Sequence, residues 1–80
     1  MKVKLLAFGI AKDILLSRKL EFELKEGDSI AALKQKLYVQ YPDLEKLKNL
    51  SFAVGEEYRE ESYPLKNDDE VAIIPPVSGG

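Results

Sequence analysis

The stretch Lys19-Leu20-Glu21-Phe22-Glu23-Leu24-Lys25 alternates charged and apolar residues without a break, and Glu26-Gly27-Asp28-Ser29 follows it. Successive side chains of an extended chain point to opposite faces, so Leu20, Phe22 and Leu24 share one face and the charges share the other. That is a strand with one side buried. Glycine supplies a positive φ and aspartate supports local side-chain bonds, so residues 26–28 read as a turn. Asp28 or Ser29 can then cap a helix running to about Tyr41, in which Ile30, Leu33, Leu37 and Tyr41 recur at spacings of three and four and line one face. Pro42 stops that helix, because proline disfavours helical geometry in the residue before it.

Upstream, Val3, Leu5 and Ala7 alternate with Leu6 and Phe8. A strand apolar at both parities reads as central and buried on both sides. Gly9 punctuates it, and Ile10 to Leu16 fits two helical turns. Downstream, Leu44, Leu47 and Leu50 suggest a short turn packed beneath the helix. Ser51 to Val54 is a further strand, broken by Gly55. Glu56 to Glu61 holds four acids in six residues, which suits a solvated loop or edge strand, or a contact for a basic partner. Tyr58, a lone aromatic in that run, has little core to join. Leu65 reads as a buried anchor in a loop, Asn67-Asp68-Asp69 as a turn, and Glu70 to Ile74 as the last strand. Val71 and Ile73 point inward there, so Ala72 and Ile74 point away. An exposed isoleucine beside a tail marks a candidate binding face.

Strand, short helix, strand, long helix, then two or more strands cannot make a doubly wound sheet. The order suits an α+β arrangement, a mixed sheet packed on one main helix plus short helices, and a β-grasp is the smallest layout that satisfies it. Residues 1–74 form the domain and residues 75–80 an extended C-terminal tail.

Composition narrows the chemistry. The chain has 80 residues, 45% hydrophobic, enough for one small core. It carries 12 basic and 14 acidic side chains, a poor balance for nucleic-acid binding, which draws on Lys and Arg against phosphate. The absence of Cys and His removes thiolate nucleophiles, zinc–thiolate sites and the usual general base, and no metal site is expected. Paired surface acids such as Glu57 and Glu61 are a weak basis for a hydrolase. No run approaches the roughly 18–20 apolar residues of a membrane span, and the N-terminus lacks the pattern of a signal peptide. A cytoplasmic protein with no membrane partner is expected.

The chain ends Ile74-Pro75-Pro76-Val77-Ser78-Gly79-Gly80. Two prolines terminate a sheet and launch an extended segment. Six residues reach about 20 Å when extended, and the last two have no Cβ. Such a tail can thread a narrow channel and present its carboxylate to another protein's active site. A carboxylate is a poor acyl donor until it becomes an acyl-adenylate, from which sulfur can displace AMP to leave a thiocarboxylate.

At these residues the chain resembles the small sulfur-carrier subunit family of molybdopterin synthase (MoaD-type), ubiquitin-like β-grasp proteins. The match rests on the segment from Asp69 to Gly80, on Lys4-Leu5-Leu6-Ala7-Phe8-Gly9 and on Phe52-Ala53-Val54. The resemblance implies that an E1-like adenylyltransferase activates Gly80 with ATP and magnesium, with no cofactor held stably by the chain itself. A sulfurtransferase system then makes the thiocarboxylate (a covalent 1-thioglycine at Gly80). It implies insertion of the tail into the large synthase subunit within a heterotetramer, where sulfur passes to cyclic pyranopterin monophosphate to build the molybdopterin dithiolene. By position, Gly80 carries the sulfur, Gly79, Ser78 and Val77 line the threaded tail, and Pro76 and Pro75, which launch it, count among the partner-binding residues. Phe8, Tyr58 and Ile74 match apolar interface positions, and Lys12 matches a basic residue that contacts partners. Where relatives usually have Asp-Gly before Asp69, this chain has Asn67-Asp68. Aspartate tolerates left-handed backbone, so the turn is expected to persist. The alternatives are a related β-grasp sulfur carrier, a ubiquitin-like protein modifier, or an interaction module that makes no use of the tail.

Overall fold

The computed structural model describes residues 1–47 and 49–76. In chain order its elements are β1 (Lys2–Ala7), α1 (Ile10–Leu15), β2 (Lys19–Glu23), α2 (Ile30–Gln40), α3 (Pro42–Glu45), β3 (Ser51–Val54), β4 (Glu57–Tyr58) and β5 (Glu70–Ile74). The five strands form one mixed sheet in the order β2-β1-β5-β3-β4. β1 runs antiparallel to β2 and parallel to β5, while β3 is antiparallel to both β5 and β4. This is the β-grasp expected from the element order.

The core fills the space between one face of the sheet and α2. Val3, Leu5, Ala7, Phe52, Val54, Val71 and Ile73 come from the strands, and Ile30, Leu33 and Leu37 from α2. Ala11 and Leu15 of α1, Leu44 of α3 and the loop anchor Leu65 close its margins. Each large aliphatic side chain so buried contributes roughly 1.5–3 kcal/mol.

Local chemistry sets the joints. Ser29, not Asp28, caps α2, its Oγ accepting from the Ala32 N–H at 3.4 Å. The two donors nearest the helix start, the Ile30 and Ala31 N–H groups, bond to the carbonyls of Tyr63 and Glu61 at 3.0 and 2.8 Å. Asp28 instead closes the preceding turn, accepting from the Lys25 N–H at 2.9 Å. Asp68 takes the left-handed conformation expected of it, with φ of 68°. Beside it, Asn67 Oδ1 accepts from the Lys2 N–H at 2.9 Å, and the Lys2 carbonyl accepts from the Asp68 N–H at 2.7 Å. This turn therefore clamps the start of β1 and sets the parallel register in which Leu6 faces Ala72.

Both sheet edges are blunted. On β2 the Ser17 hydroxyl occupies both main-chain groups of Lys19, donating to its carbonyl at 2.8 Å and accepting from its N–H at 3.3 Å. On the far side the acidic run supplies β4, an edge strand of two exposed residues. Short, charged edges resist pairing with other chains.

One expectation is corrected. β1 is central, bonded on both sides, but it is not buried on both faces. Val3, Leu5 and Ala7 are buried, whereas Lys4 and Leu6 are only half-buried and Phe8 is 49% exposed. Among the described residues the helices pack on one side of the sheet, as in a β-grasp, and none of them covers the second face of β1.

Candidate functional site at the open sheet face

Strand pairing organises the uncovered face into rows. In one row Lys4 lies between Glu21 of β2 and Glu70 of β5. The next row runs Lys19, Leu6, Ala72, Ala53, Tyr58 across all five strands. Beyond it Ile74 lies opposite Ser51, and the Phe8 N–H extends the β1–β5 pairing by bonding to the Ile73 carbonyl at 3.3 Å. The face is therefore charged at one end and apolar at the other. The apolar end is where the chain leaves β5 at Ile74 and Pro75.

Each side chain is held out by a definite cause. Ile73 is fully buried, so its neighbour Ile74 must face away from the core and is half-buried. Tyr58 pairs with Ala53 at the edge and is 70% exposed. Ala53 itself is 7% exposed yet stands outside the core cluster. Phe8 sits just past the end of β1 and is 49% exposed.

A shallow depression beside this patch is lined by Ala7, Phe8, Gly9, Lys12 and Arg18. Lys12 projects from α1 and is half-buried, and among the described residues neither it nor Arg18 pairs with a carboxylate. The structure thus brings Phe8, Gly9, Lys12 and Pro75 together where β1 and β5 end, with Ile74 on the open face just before Pro75, while Tyr58 lies apart on the edge strand β4 and Pro76 is exposed. Val77, Ser78, Gly79 and Gly80 lie outside the described residues.

Sequence reasoning missed Leu6, Ala53 and Arg18 as members of this surface, and noted Ala72 only for its outward direction. Parity was a usable signal for Leu6, which shares its face with Phe8. Ala53 gave none, because its place follows from pairing with β5 and β4.

The perturbed titratable groups lie elsewhere. The Lys25 N–H, then the Lys36 ammonium at 3.2 Å, hold the Asp28 carboxyl below the usual carboxylate value. The hydrogen bond to Glu61 at 2.9 Å raises Lys34 above the usual lysine value. Both pairs tie α2 to loops on the core side of the sheet, and their role is structural. The open face offers binding surface. Among the described residues no helix is long and apolar enough to cross a membrane.

A mixed five-stranded sheet grasping one helix, with an apolar end beside a Pro-Pro-Val-Ser-Gly-Gly tail, defines a ubiquitin-like β-grasp protein. The chain belongs to the ThiS family, whose model matches residues 5–80. It is 35% identical to the molybdopterin synthase sulfur carrier subunit of Chlamydomonas reinhardtii, covering the whole of both chains. In fold it is similar to a putative molybdopterin converting factor subunit 1 from Pyrococcus furiosus, with a TM-score of 0.88 and 23% identity over 96% of this chain and 99% of that one. It is also similar to a chain in the complex of subunits 1 and 2 of molybdopterin-converting factor from Helicobacter pylori, with a TM-score of 0.71 and 23% identity over the whole of both chains.

Proposed function

We propose that this chain is the sulfur carrier subunit of a molybdopterin synthase, working in the cytoplasm as a covalently charged partner and not as a catalyst by itself. The observation that carries the reading is the coincidence of two features at one end of the molecule. The apolar part of the open face at Leu6, Phe8 and Ile74 borders the point where the tail leaves β5, and Tyr58 extends the Leu6 row to the sheet edge. The 35% identity to a named sulfur carrier subunit over full length supports the same reading.

In this role the reactive group is the Gly80 carboxylate. An E1-like enzyme, binding the ATP and magnesium itself, transfers AMP to it and releases pyrophosphate. A sulfurtransferase system supplies sulfur at the sulfide level, with thiols as reductant where it is carried as a persulfide; the sulfur bonds to the acyl carbon, the acyl–phosphate bond breaks, AMP leaves and the thiocarboxylate remains. The open face then docks on a large subunit, Lys12 and Arg18 offering positive charge beside the patch. Docking of the domain makes delivery of the tail intramolecular, which raises the effective concentration of its terminus at the large subunit's active site. There sulfur passes to cyclic pyranopterin monophosphate. Two carriers on a large-subunit dimer make the heterotetramer.

Removing Gly79 and Gly80 tests this directly. The truncated chain should keep the circular dichroism spectrum and melting temperature of the full chain and lose all sulfur transfer. Full transfer by the truncated chain would contradict the reading and favour an interaction module that does not use its tail.

A further inference from the structure

Gly9 stands where β1 ends and α1 begins, with φ of 55° and ψ of −134°. That is the mirror image of the polyproline II conformation, open to glycine and strained for any residue with a Cβ. A second constraint acts at the same atom. A Cβ on Gly9 would stand 3.2 Å from Cγ of Pro75, inside the optimal carbon–carbon separation of about 3.5–4.0 Å. A side chain at position 9 would therefore need the Pro75 ring to give way by a few tenths of an ångström. Neither Gly27 nor Gly55 has any atom within 4 Å of such a position, so at those glycines only the backbone angle matters.

The two contacting residues differ in how they are held. Gly9 is fixed from both sides: the Phe8 N–H bonds to Ile73, and the Ala11 and Lys12 N–H groups bond to the Phe8 and Gly9 carbonyls at 3.1 Å each. Pro75 is the first residue after β5 and has no N–H with which to continue the ladder. Its ring lies beside Gly9, next to the place where that rung would fall. We propose that Gly9 is a positioning residue for the tail, its bare Cα seating the Pro75 ring and so setting the angle at which the chain leaves β5 beside the apolar face. The proposal rests on the reading of the tail as the reactive arm, and it assigns the β1–α1 junction a part in delivery.

The test is a double-mutant cycle between Gly9→Ala and Pro75→Ala, read in two ways. The chain contains no cysteine, so Ser78→Cys provides a single attachment point for a nitroxide. Paramagnetic broadening of the domain's amides then maps where the tail travels. On unlabelled chains, single-turnover sulfur transfer in the complex with the large subunit measures delivery. With Pro75 present, Gly9→Ala should shift the set of broadened amides and slow transfer about tenfold. In the Pro75→Ala background, where Cγ is gone and only the backbone strain remains, the same change should alter both readouts clearly less. Equal effects in the two backgrounds would mean that position 9 acts through backbone strain alone, and would overturn the proposal. Should Gly9→Ala fail to fold, Pro75→Ala by itself must redistribute the broadened amides, and an unchanged map overturns the proposal. A map that shifts as expected in a chain that transfers no sulfur even as wild type would uphold the positioning role and overturn the functional reading.

Discussion

Ala53 and Tyr58 are partners across the β3–β4 ladder, side by side on the face of the sheet turned away from α2. The smaller is buried and the larger exposed, so the ring forms the outer end of the apolar row and takes no part in the core. Tyr58→Glu should therefore weaken binding to the large subunit about 10- to 100-fold while changing stability by no more than about 0.5 kcal/mol. Calorimetric titration beside a thermal melt checks both halves. A melt that falls while affinity holds would return Tyr58 to a structural role.

Adjacent residues of β5 should behave oppositely. Ile73 is fully buried against the core and Ile74 faces the open side. Ile73→Ala should cost about 2–5 kcal/mol of unfolding free energy. Ile74→Arg should cost far less stability but disrupt partner binding. Denaturant titration of the two variants, with binding measured where the domain remains folded, separates the two faces of one strand.

Acid should loosen the start of α2. Asp28 has its carboxyl value lowered by the Lys25 N–H and then by Lys36. A group whose folded value is depressed adds stability above its unfolded value, near 3.8, and loses it as pH falls through the folded value. Urea unfolding between pH 7 and pH 2 should therefore show stability dropping below about pH 4. Asp28→Asn should flatten that part of the curve, and an unchanged slope would contradict the assignment.

Much of this was legible locally. The alternation of Lys19–Lys25, the spacing of Ile30, Leu33 and Leu37, and the turn residues at Gly27 and Asp68 are short-range signals, and the structure reproduces each. What local periodicity cannot carry is which strands become neighbours. The β2-β1-β5-β3-β4 order joins Leu6 to Ala72 and Ala53 to Tyr58 through contacts far apart in sequence. For the same reason the double-sided apolar pattern of Val3–Phe8 marks a central strand without saying what covers its second face. Hydrophobicity marks surface that avoids water, but it does not say whether the chain's own helix or another protein covers it. The Gly9–Pro75 contact was equally invisible, since a lone glycine after a strand signals a turn and says nothing of a ring packed on it.

At the terminus, Gly80→Ala should slow adenylation or sulfur transfer without lowering the melting temperature, because a methyl at the last residue meets any channel built for an unbranched chain. Rates measured with purified activating enzyme and ATP decide it. Turnover equal to wild type would count against a narrow channel.

The central claim is that the chain's last carboxylate is converted to a thiocarboxylate. Intact-mass spectrometry of the chain after incubation with its E1-like enzyme, ATP, magnesium and the sulfurtransferase system tests it most directly. The account predicts a gain of about 16 Da, from one oxygen replaced by sulfur at the activated acyl group, confined to the C-terminal peptide and alkylated by iodoacetamide. A mass that stays unchanged, or a gain of the same size that maps to Met1 and resists alkylation, would contradict it.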